Sequence, residues 1–160
     1  MKKIATIAGL ALALASTANA QLVASKDMSV TMAVTIAQGA IEACKAQGYN
    51  VSAHVLGRSG EVLVAMRGDD TGPQTYENSF KKAWTSRAQR APSLNFANAV
   101  KANPTVGAIH LSNMVPAQGA LPIMAGMDIV GAVGVSGAPG GDKDEACAKA
   151  GIDKVAADLK

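Results

Sequence analysis

A glycine-rich segment over residues 119–151 constrains the fold of this chain more than any other stretch of the sequence. Two short apolar runs, residues 121–125 and 129–135, are separated by a turn that contains Gly126. Such a pair of runs around a glycine turn predicts a β-hairpin. A cluster of Gly and Ser then ends the second strand, and Asp142 is predicted to cap the helix that follows. The chain is therefore predicted to end in a hairpin, a glycine-rich loop and a helix.

The earlier part of the chain predicts the same kinds of element. Apolar residues at helical spacing, alternating apolar residues and turns with Gly or Pro mark where each element begins and ends. The predicted elements are a helix over residues 30–47, strands over 51–56 and 61–67, a central helix over 73–90, a short helix over 94–102 and an extra strand over 106–111.

Sequential strands that are joined by tight turns favour an antiparallel sheet. The predicted fold class is α+β, a two-layer domain with an antiparallel sheet of four to five strands flanked by helices, the first and last helices on one face. The other face would be covered either by the middle helices or by another subunit. Leu56 is expected to leave apolar surface exposed, which favours a homo-oligomer of at least two copies.

Residues 1–20 are predicted to be a secretory signal peptide. They combine a basic start, an apolar run over residues 4–15 and a small-x-small cleavage site that ends at Ala20. The apolar run is too short to span a membrane, and no other run of membrane length follows. The mature chain is therefore predicted to be one domain, residues 21–160, that is periplasmic or secreted.

The net charge of the mature chain narrows the class of protein to which it could belong. The formal net charge of +3 includes the two lysines of the signal peptide, so the mature chain carries only +1. Nothing in the sequence resembles the basic, aromatic-rich face of a nucleic-acid-binding protein.

The two cysteines, Cys44 and Cys147, would lie on different helices in an oxidising compartment. The sequence leaves open whether they pair or remain separate small apolar residues, because a bridge requires the two helices to be neighbours.

Four short motifs resemble the GlcG/HbpS family of small haem-binding proteins. They are Gly119-Ala120-Leu121-Pro122-Ile123, Val130-Gly131-Ala132-Val133-Gly134-Val135-Ser136-Gly137, Asp144-Glu145-Ala146-Cys147-Ala148 and Lys82-Ala83-Trp84-Thr85. The resemblance runs from about residue 31 to residue 159, and it departs at Ala120, where the family often has a second Gly. It implies a profilin-like or roadblock-like architecture, a homo-oligomer, and haem or a related tetrapyrrole as ligand. The implied role is haem scavenging, storage or sensing, and in sensing a sensor protein would be a partner.

Two histidines, His54 and His110, are the candidate axial ligands of a haem iron. His110 is the first choice because the loop beside it could adapt around a ring, whereas His54 is held in a strand. No His-x-x-His or Cys-x-x-Cys spacing is present, so a structural zinc site is not expected.

The central helix carries the other candidate residues. Tyr76, Phe80 and Trp84 recur every four residues and form either core packing or an apolar wall for a porphyrin. Arg87 and Arg90 could bind the propionates, because a guanidinium pairs well with a carboxylate.

Three methionines, Met114, Met124 and Met127, surround the loop after His110 and the second hairpin. They could line an adaptable apolar pocket, ligate haem iron or simply fill the core.

Two other functions remain open from the sequence. Some relatives in the resembled family are linked to haem breakdown, so a haem-degrading enzyme is one alternative. The residues themselves show no catalytic constellation, since Ser136 has no evident histidine partner. The other alternative is an accessory interaction module without a ligand.

Overall fold

The structure is a computed structural model that describes residues 22–160. Within these residues the elements are α1 Val30–Lys45, β1 Ser52–Leu56, β2 Val62–Arg67, α2 Pro73–Gln89, α3 Ser93–Ala102, β3 Ala120–Ala125, β4 Asp128–Ser136 and α4 Gly141–Asp153, with short 3-10 helices at Gly107–His110 and Ala156–Asp158. The predicted signal peptide, residues 1–20, lies outside the described residues.

The four strands form one antiparallel sheet in the order β2-β1-β4-β3. Both hairpins are present as predicted, and β1 pairs with β4 so that Ser52 lies opposite Ser136 and Leu56 opposite Ala132. This register places the turns of the two hairpins at the same end of the sheet. The α+β fold class is confirmed, with four strands.

One face of the sheet carries the main apolar core. Ala53 and Val55 from β1 and Val133 and Val135 from β4 pack with the buried faces of α1 and α4. The alternation of side chains along each strand produces this face, because neighbouring residues point to opposite sides. The prediction that the first and last helices share one face is therefore confirmed.

The central helix α2 covers the other face and approaches β4 very closely. Gly134 allows this approach, since a Cβ atom there would overlap the carbonyl oxygen of Ser79 and the backbone of Ala83. Leu56, on this side of the sheet, is fully buried within the chain. The expectation that Leu56 leaves exposed apolar surface is wrong, because α2 covers this face of the sheet. Of the two alternatives for this face, the middle helices and another subunit, the structure shows the first.

A disulfide joins α1 to α4. Cys44 and Cys147 are both fully buried, and their Cα atoms lie 5.5 Å apart. The two helices are neighbours on the same face of the sheet, as a bridge between the cysteines requires. The sequence alone left open whether the cysteines pair.

Two local predictions are wrong. Residues 107–110 form a 3-10 turn instead of a fifth strand, because successive i to i+3 hydrogen bonds such as Ile109 N to Val106 O close the backbone on itself. Helix α4 begins two residues earlier than expected, with Gly140 instead of Asp142 at the N-cap and no side-chain cap. Asp142 lies inside the first turn, where its charge still suits the helix dipole.

No helix among residues 22–160 is both long enough and apolar enough to cross a membrane.

Candidate functional site: an arginine cleft at the hairpin end of the sheet

A cleft of about 350 Å³ lies at the end of the sheet where both hairpins turn. Arg58 reaches it from the first hairpin turn, Arg87 from the last turn of α2, and Arg90 from the residue that follows this helix. The second hairpin completes the lining with Met124, Met127, Asp128 and Ile129. A smaller hollow of about 160 Å³ beside Trp84 shares Arg58 and Arg87 with it. We call the two together the arginine cleft.

The positive charges in the arginine cleft are only partly compensated. Burial lowers the pKa of the Arg87 guanidinium, and the neighbouring charges of Arg90 and Arg58 add to the effect, while Glu61 opposes it. The Nε atom of Arg87 is buried and has no hydrogen-bond partner within the described chain. Arg58 donates from Nη1 to the carbonyl of Ile129 at 3.3 Å. An unpaired buried donor costs free energy, so an anionic group that entered here would be stabilised.

The opposite side of the arginine cleft carries two accessible methionines next to Asp128. Met127, in the turn of the second hairpin, is 99% exposed, and Met124 is 39% exposed. Exposed methionines are uncommon unless they serve a surface that adapts to a ligand or partner. The cleft therefore offers cations on one side and flexible thioether side chains on the other.

His54 lies away from this cleft, buried between β1 and α2. Its Nδ1 atom is 2.8 Å from Ser79 Oγ, and its ring contacts Tyr76 edge-on with centroids 4.5 Å apart. Burial lowers the pKa of His54 to about 4, so the imidazole is neutral at pH 7. Ser79 Oγ donates its proton to the carbonyl of Tyr76, and therefore accepts the Nδ1 proton of His54. These hydrogen bonds place the proton of the neutral imidazole on Nδ1. The lone pair is then on Nε2, the nitrogen that would be free to bind a metal.

The other predicted site residues are divided among three regions. His110 is exposed on its 3-10 turn, and Met114 is 7% exposed in the loop that follows. That loop is tied to α2 by a hydrogen bond of 2.9 Å from Val115 N to Thr85 Oγ1. Neither His110 nor Met114 lines the arginine cleft, whereas Arg87 and Arg90 line it and Trp84 borders it. Tyr76 belongs instead to the surroundings of His54.

The match to a family model decides what kind of protein this is. The model described as "Haem degrading protein HbpS-like" covers residues 28–153, most of the chain. This chain belongs to the HbpS-like family. A crystal structure of HbpS is 36% identical to it, with a TM-score of 0.78 over 83% of this chain and 93% of that one. A double mutant of HbpS from Streptomyces reticuli is 34% identical, with the same TM-score over 89% and 97% of the two chains.

Two more distantly related structures have the same fold as this chain, and their similarity shows the fold only. The ORFY protein of Klebsiella pneumoniae is 22% identical, with a TM-score of 0.77 over 87% of this chain and 96% of that one. PduOC, solved as a haem complex, is 21% identical, with a TM-score of 0.73 over 81% and 95%. None of the curated proteins matches this chain significantly.

Arg58 is a residue of the arginine cleft that the sequence prediction missed. It lies in the turn of the first hairpin and looks like an ordinary turn residue when read locally. The register of β1 against β4 places this turn beside the turn of the second hairpin, where Met127 lies. That register was not predicted, so the sequence did not connect Arg58 with Met127, Arg87 and Arg90.

Proposed function

We propose that this protein binds haem reversibly, with the propionates held by Arg58, Arg87 and Arg90. The observation that carries the proposal is the buried, unpartnered Nε of Arg87 within a cluster of three arginines, in a cleft that also exposes Met124 and Met127. The HbpS-like family description, which names haem degradation, supports it. So does the haem complex of PduOC, a protein with the same fold.

The residues of the arginine cleft fit the chemistry of a porphyrin. Guanidinium groups bind carboxylates through two parallel hydrogen bonds, and Met124 and Met127 offer an adaptable apolar contact for the ring. The volume of about 350 Å³ is near the lower end of the range for small-molecule pockets. Part of the ring would therefore lie outside the cleft. We propose that a second copy of the chain covers that part, together with the exposed side chain of Met127.

The side chains that line the arginine cleft are the candidates for the axial ligand of the haem iron. Haem iron in proteins is held by histidine, methionine, cysteine or tyrosine side chains. Of these, only methionines are among the residues that line the arginine cleft in the described chain. We propose the thioether of Met127 as the ligand within one chain. His110, the first choice from the sequence, remains exposed and would have to come from a neighbouring copy.

A haemin titration followed by absorbance tests the proposal. We expect a saturable change in the Soret band, with affinity lowered about tenfold or more in Arg87→Gln/Arg90→Gln, since charge-assisted hydrogen bonds contribute about 1.5–3 kcal/mol. Lys101→Gln, an exposed lysine on α3, is the matched control and should not change the affinity. An unchanged affinity in the double variant would refute the arginine assignment.

Three single substitutions locate the iron ligand in the same titration. Loss of the bound-state spectrum in Met127→Leu alone supports Met127, whereas loss in His110→Ala or His54→Ala alone transfers the role to that histidine. If the unmodified protein gives no saturable change, haem binding fails and a ligand-free interaction module takes its place.

Haem degradation is the second candidate, favoured by the family description. Haem-loaded protein would be incubated with ascorbate in air while the Soret band and free iron are followed. Loss of the band with release of iron faster than for free haemin would make the protein an enzyme. A stable band would leave scavenging, storage or sensing, and in sensing a sensor protein would be the partner.

We also propose that the mature protein works in the periplasm or outside the cell. The pattern of residues 1–20 supports this, and so does the Cys44–Cys147 disulfide, because disulfides persist mainly in oxidising compartments.

A further inference from the structure

A second, larger cleft of about 660 Å³ lies at the opposite end of the sheet from the arginine cleft. Its floor is the end of β4 at Ser136, and its walls are the glycine-rich loop over residues 137–141 and the first turns of α2 and α4. We call it the glycine cleft. Its lining consists mostly of polar side chains and glycine backbone, with Asn78, Gln74, Gln118 and Thr75 among the neutral groups.

A buried ion pair lies in the wall of the glycine cleft. Lys82 Nζ is 2.7 Å from Asp144 Oδ2, and the two side chains are only 5% and 4% exposed. The carboxylate is occupied on both oxygens, because Ala138 N donates to Oδ1 at 3.0 Å. Burial raises the pKa of Asp144 against the pull of Lys82 and of the Ala138 amide.

Lys82 retains one donor that the described chain does not use. An ammonium group has three N–H donors. Two are directed to Asp144 Oδ2 and to the carbonyl of Val135, at 2.7 and 3.1 Å. A buried cation with a free donor is expensive unless a polar group completes its shell. Because Lys82 lines the glycine cleft, a ligand in the cleft can supply that group.

Two helix N-termini open into the same cleft without a side-chain cap. Gly72 is the N-cap of α2 and Gly140 is the N-cap of α4, and neither glycine can cap its helix with a side chain. The first position of α2 is Pro73, which has no N–H, so α4 offers the more complete set of amide donors. The free N–H groups of a first turn and the helix dipole together favour an anion. Asp142 offsets part of this field, since its carboxylate lies over Gly140.

From this juxtaposition we propose that the glycine cleft binds a small organic acid with one carboxylate and several hydroxyl or amide groups. The carboxylate accepts hydrogen bonds from Lys82 and from the first turn of α4, and the neutral part contacts side chains such as Asn78 and Gln118. A single negative charge suits the site better than a dianion, because Asp144 and Asp70 also line the cleft. This site is separate from the arginine cleft and does not depend on haem binding.

Calorimetric titration with sodium gluconate tests the proposal, with glucose as the neutral counterpart and sodium phosphate as the anion of higher charge. We expect saturable binding of gluconate, little binding of glucose, and weaker binding of phosphate. Backbone amide resonances of Gly140, Gly141 and Asp142 should shift along with the calorimetric curve. No saturable response to gluconate, equal binding of glucose, or tighter binding of phosphate would each overturn the proposal.

Gly140→Ser is the decisive variant because it should fold at least as well as the parent. Gly140 has φ −150° and ψ 148°, an extended conformation open to any residue, and serine is a favoured N-cap that would bond the free amides itself. The nearest atom to its Cβ is the carboxylate of Asp142, at the end of a flexible exposed side chain. We expect unchanged or higher thermal stability, an affinity for gluconate at least tenfold lower, and unaltered haem binding. Equal affinity in this variant would refute the assignment.

A paired replacement tests the role of the ion pair. Lys82→Met/Asp144→Leu removes both buried charges together and leaves neither uncompensated. We expect the affinity for gluconate to fall at least tenfold, whereas Lys101→Gln should retain it. If the double variant does not fold, the Gly140→Ser result decides alone. Normal gluconate binding by a folded double variant would remove Lys82 from the site.

Discussion

At the residue scale, His54 shows how a single polar side chain is held in an apolar setting. It is only 2% exposed, and its hydrogen bond to Ser79 satisfies the protonated nitrogen. Tyr76 and Phe80 pack their rings against it edge-on. The aromatic residues expected to line a porphyrin therefore surround this histidine, with Trp84 continuing the stripe toward the arginine cleft.

The depressed pKa of His54 predicts a dependence of stability on pH. Its pKa is about 4 in the folded protein and 6.5 in the unfolded chain. The unfolded chain thus takes up a proton as the pH falls from about 6.5 to about 4, and the folded protein does not. Stability present above pH 6.5 is lost over this window, by about 3 kcal/mol in total.

Urea unfolding of the native protein and of His54→Gln at pH 7, 5.5 and 4 measures this effect. Glutamine can still donate to Ser79 but does not titrate. We expect the stability difference between the two proteins to shrink as the pH falls. The raised pKa of Asp144 makes the folded protein relatively more stable as the pH falls. This contribution is the same in both proteins, so it cancels in the comparison. A difference that stays constant with pH would show that folding does not lower the pKa of His54.

At the element scale, the close packing of helices on the sheet follows from small residues on both faces. On the α2 side, Gly134 allows backbone-to-backbone contact, and Ser52 bonds Thr75 across the interface at 2.8 Å. On the other side, α1 and α4 are held by the disulfide as well as by the core. The strands and helices were predicted well because each has a clear spacing of apolar residues. The 3-10 turn over residues 107–110 was missed because a run of four residues carries no such period.

The disulfide between α1 and α4 should contribute strongly to stability. It joins residues 103 positions apart, so it restricts a long segment of the unfolded chain. We expect Cys44→Ala/Cys147→Ala to lower the free energy of unfolding by about 2–5 kcal/mol, and reductant to lower it similarly in the native protein. Reductant should have no effect on the double variant, which is the control. Two free thiols in denatured, unreduced protein from the periplasm would contradict the pairing.

At the scale of the whole molecule, the exposed apolar side chains mark the surface that a ligand or a second copy can contact. Leu56 no longer supports an oligomer, since it is buried, but Met127, Leu111 and Val62 are large apolar side chains that remain about half exposed or more. Such surface favours contact with a second copy or a ligand. The two clefts lie at opposite ends of the sheet and could be occupied independently.

We predict that residues 1–20 are removed on export, so that the mature protein begins at Gln21, and that it assembles as a dimer or larger homo-oligomer. Intact mass of periplasmic material checks the first part, and a retained segment 1–20 would contradict it. Light scattering at micromolar concentrations checks the second, and a monomer throughout would refute it. Met127→Glu should weaken assembly if the second copy covers this side chain, whereas Lys101→Gln should leave it unchanged.

The sequence by itself determined most of the elements, the two hairpins and the family, because these depend on residue spacing within short windows. It also identified Arg87 and Arg90, which one helix turn brings together. Only the tertiary structure decided that Arg58 joins them and that Lys82 meets Asp144, 62 residues away. These contacts depend on strand register and on which helix covers which face of the sheet. Both are set by packing of the whole chain, so no local pattern of residues reveals them.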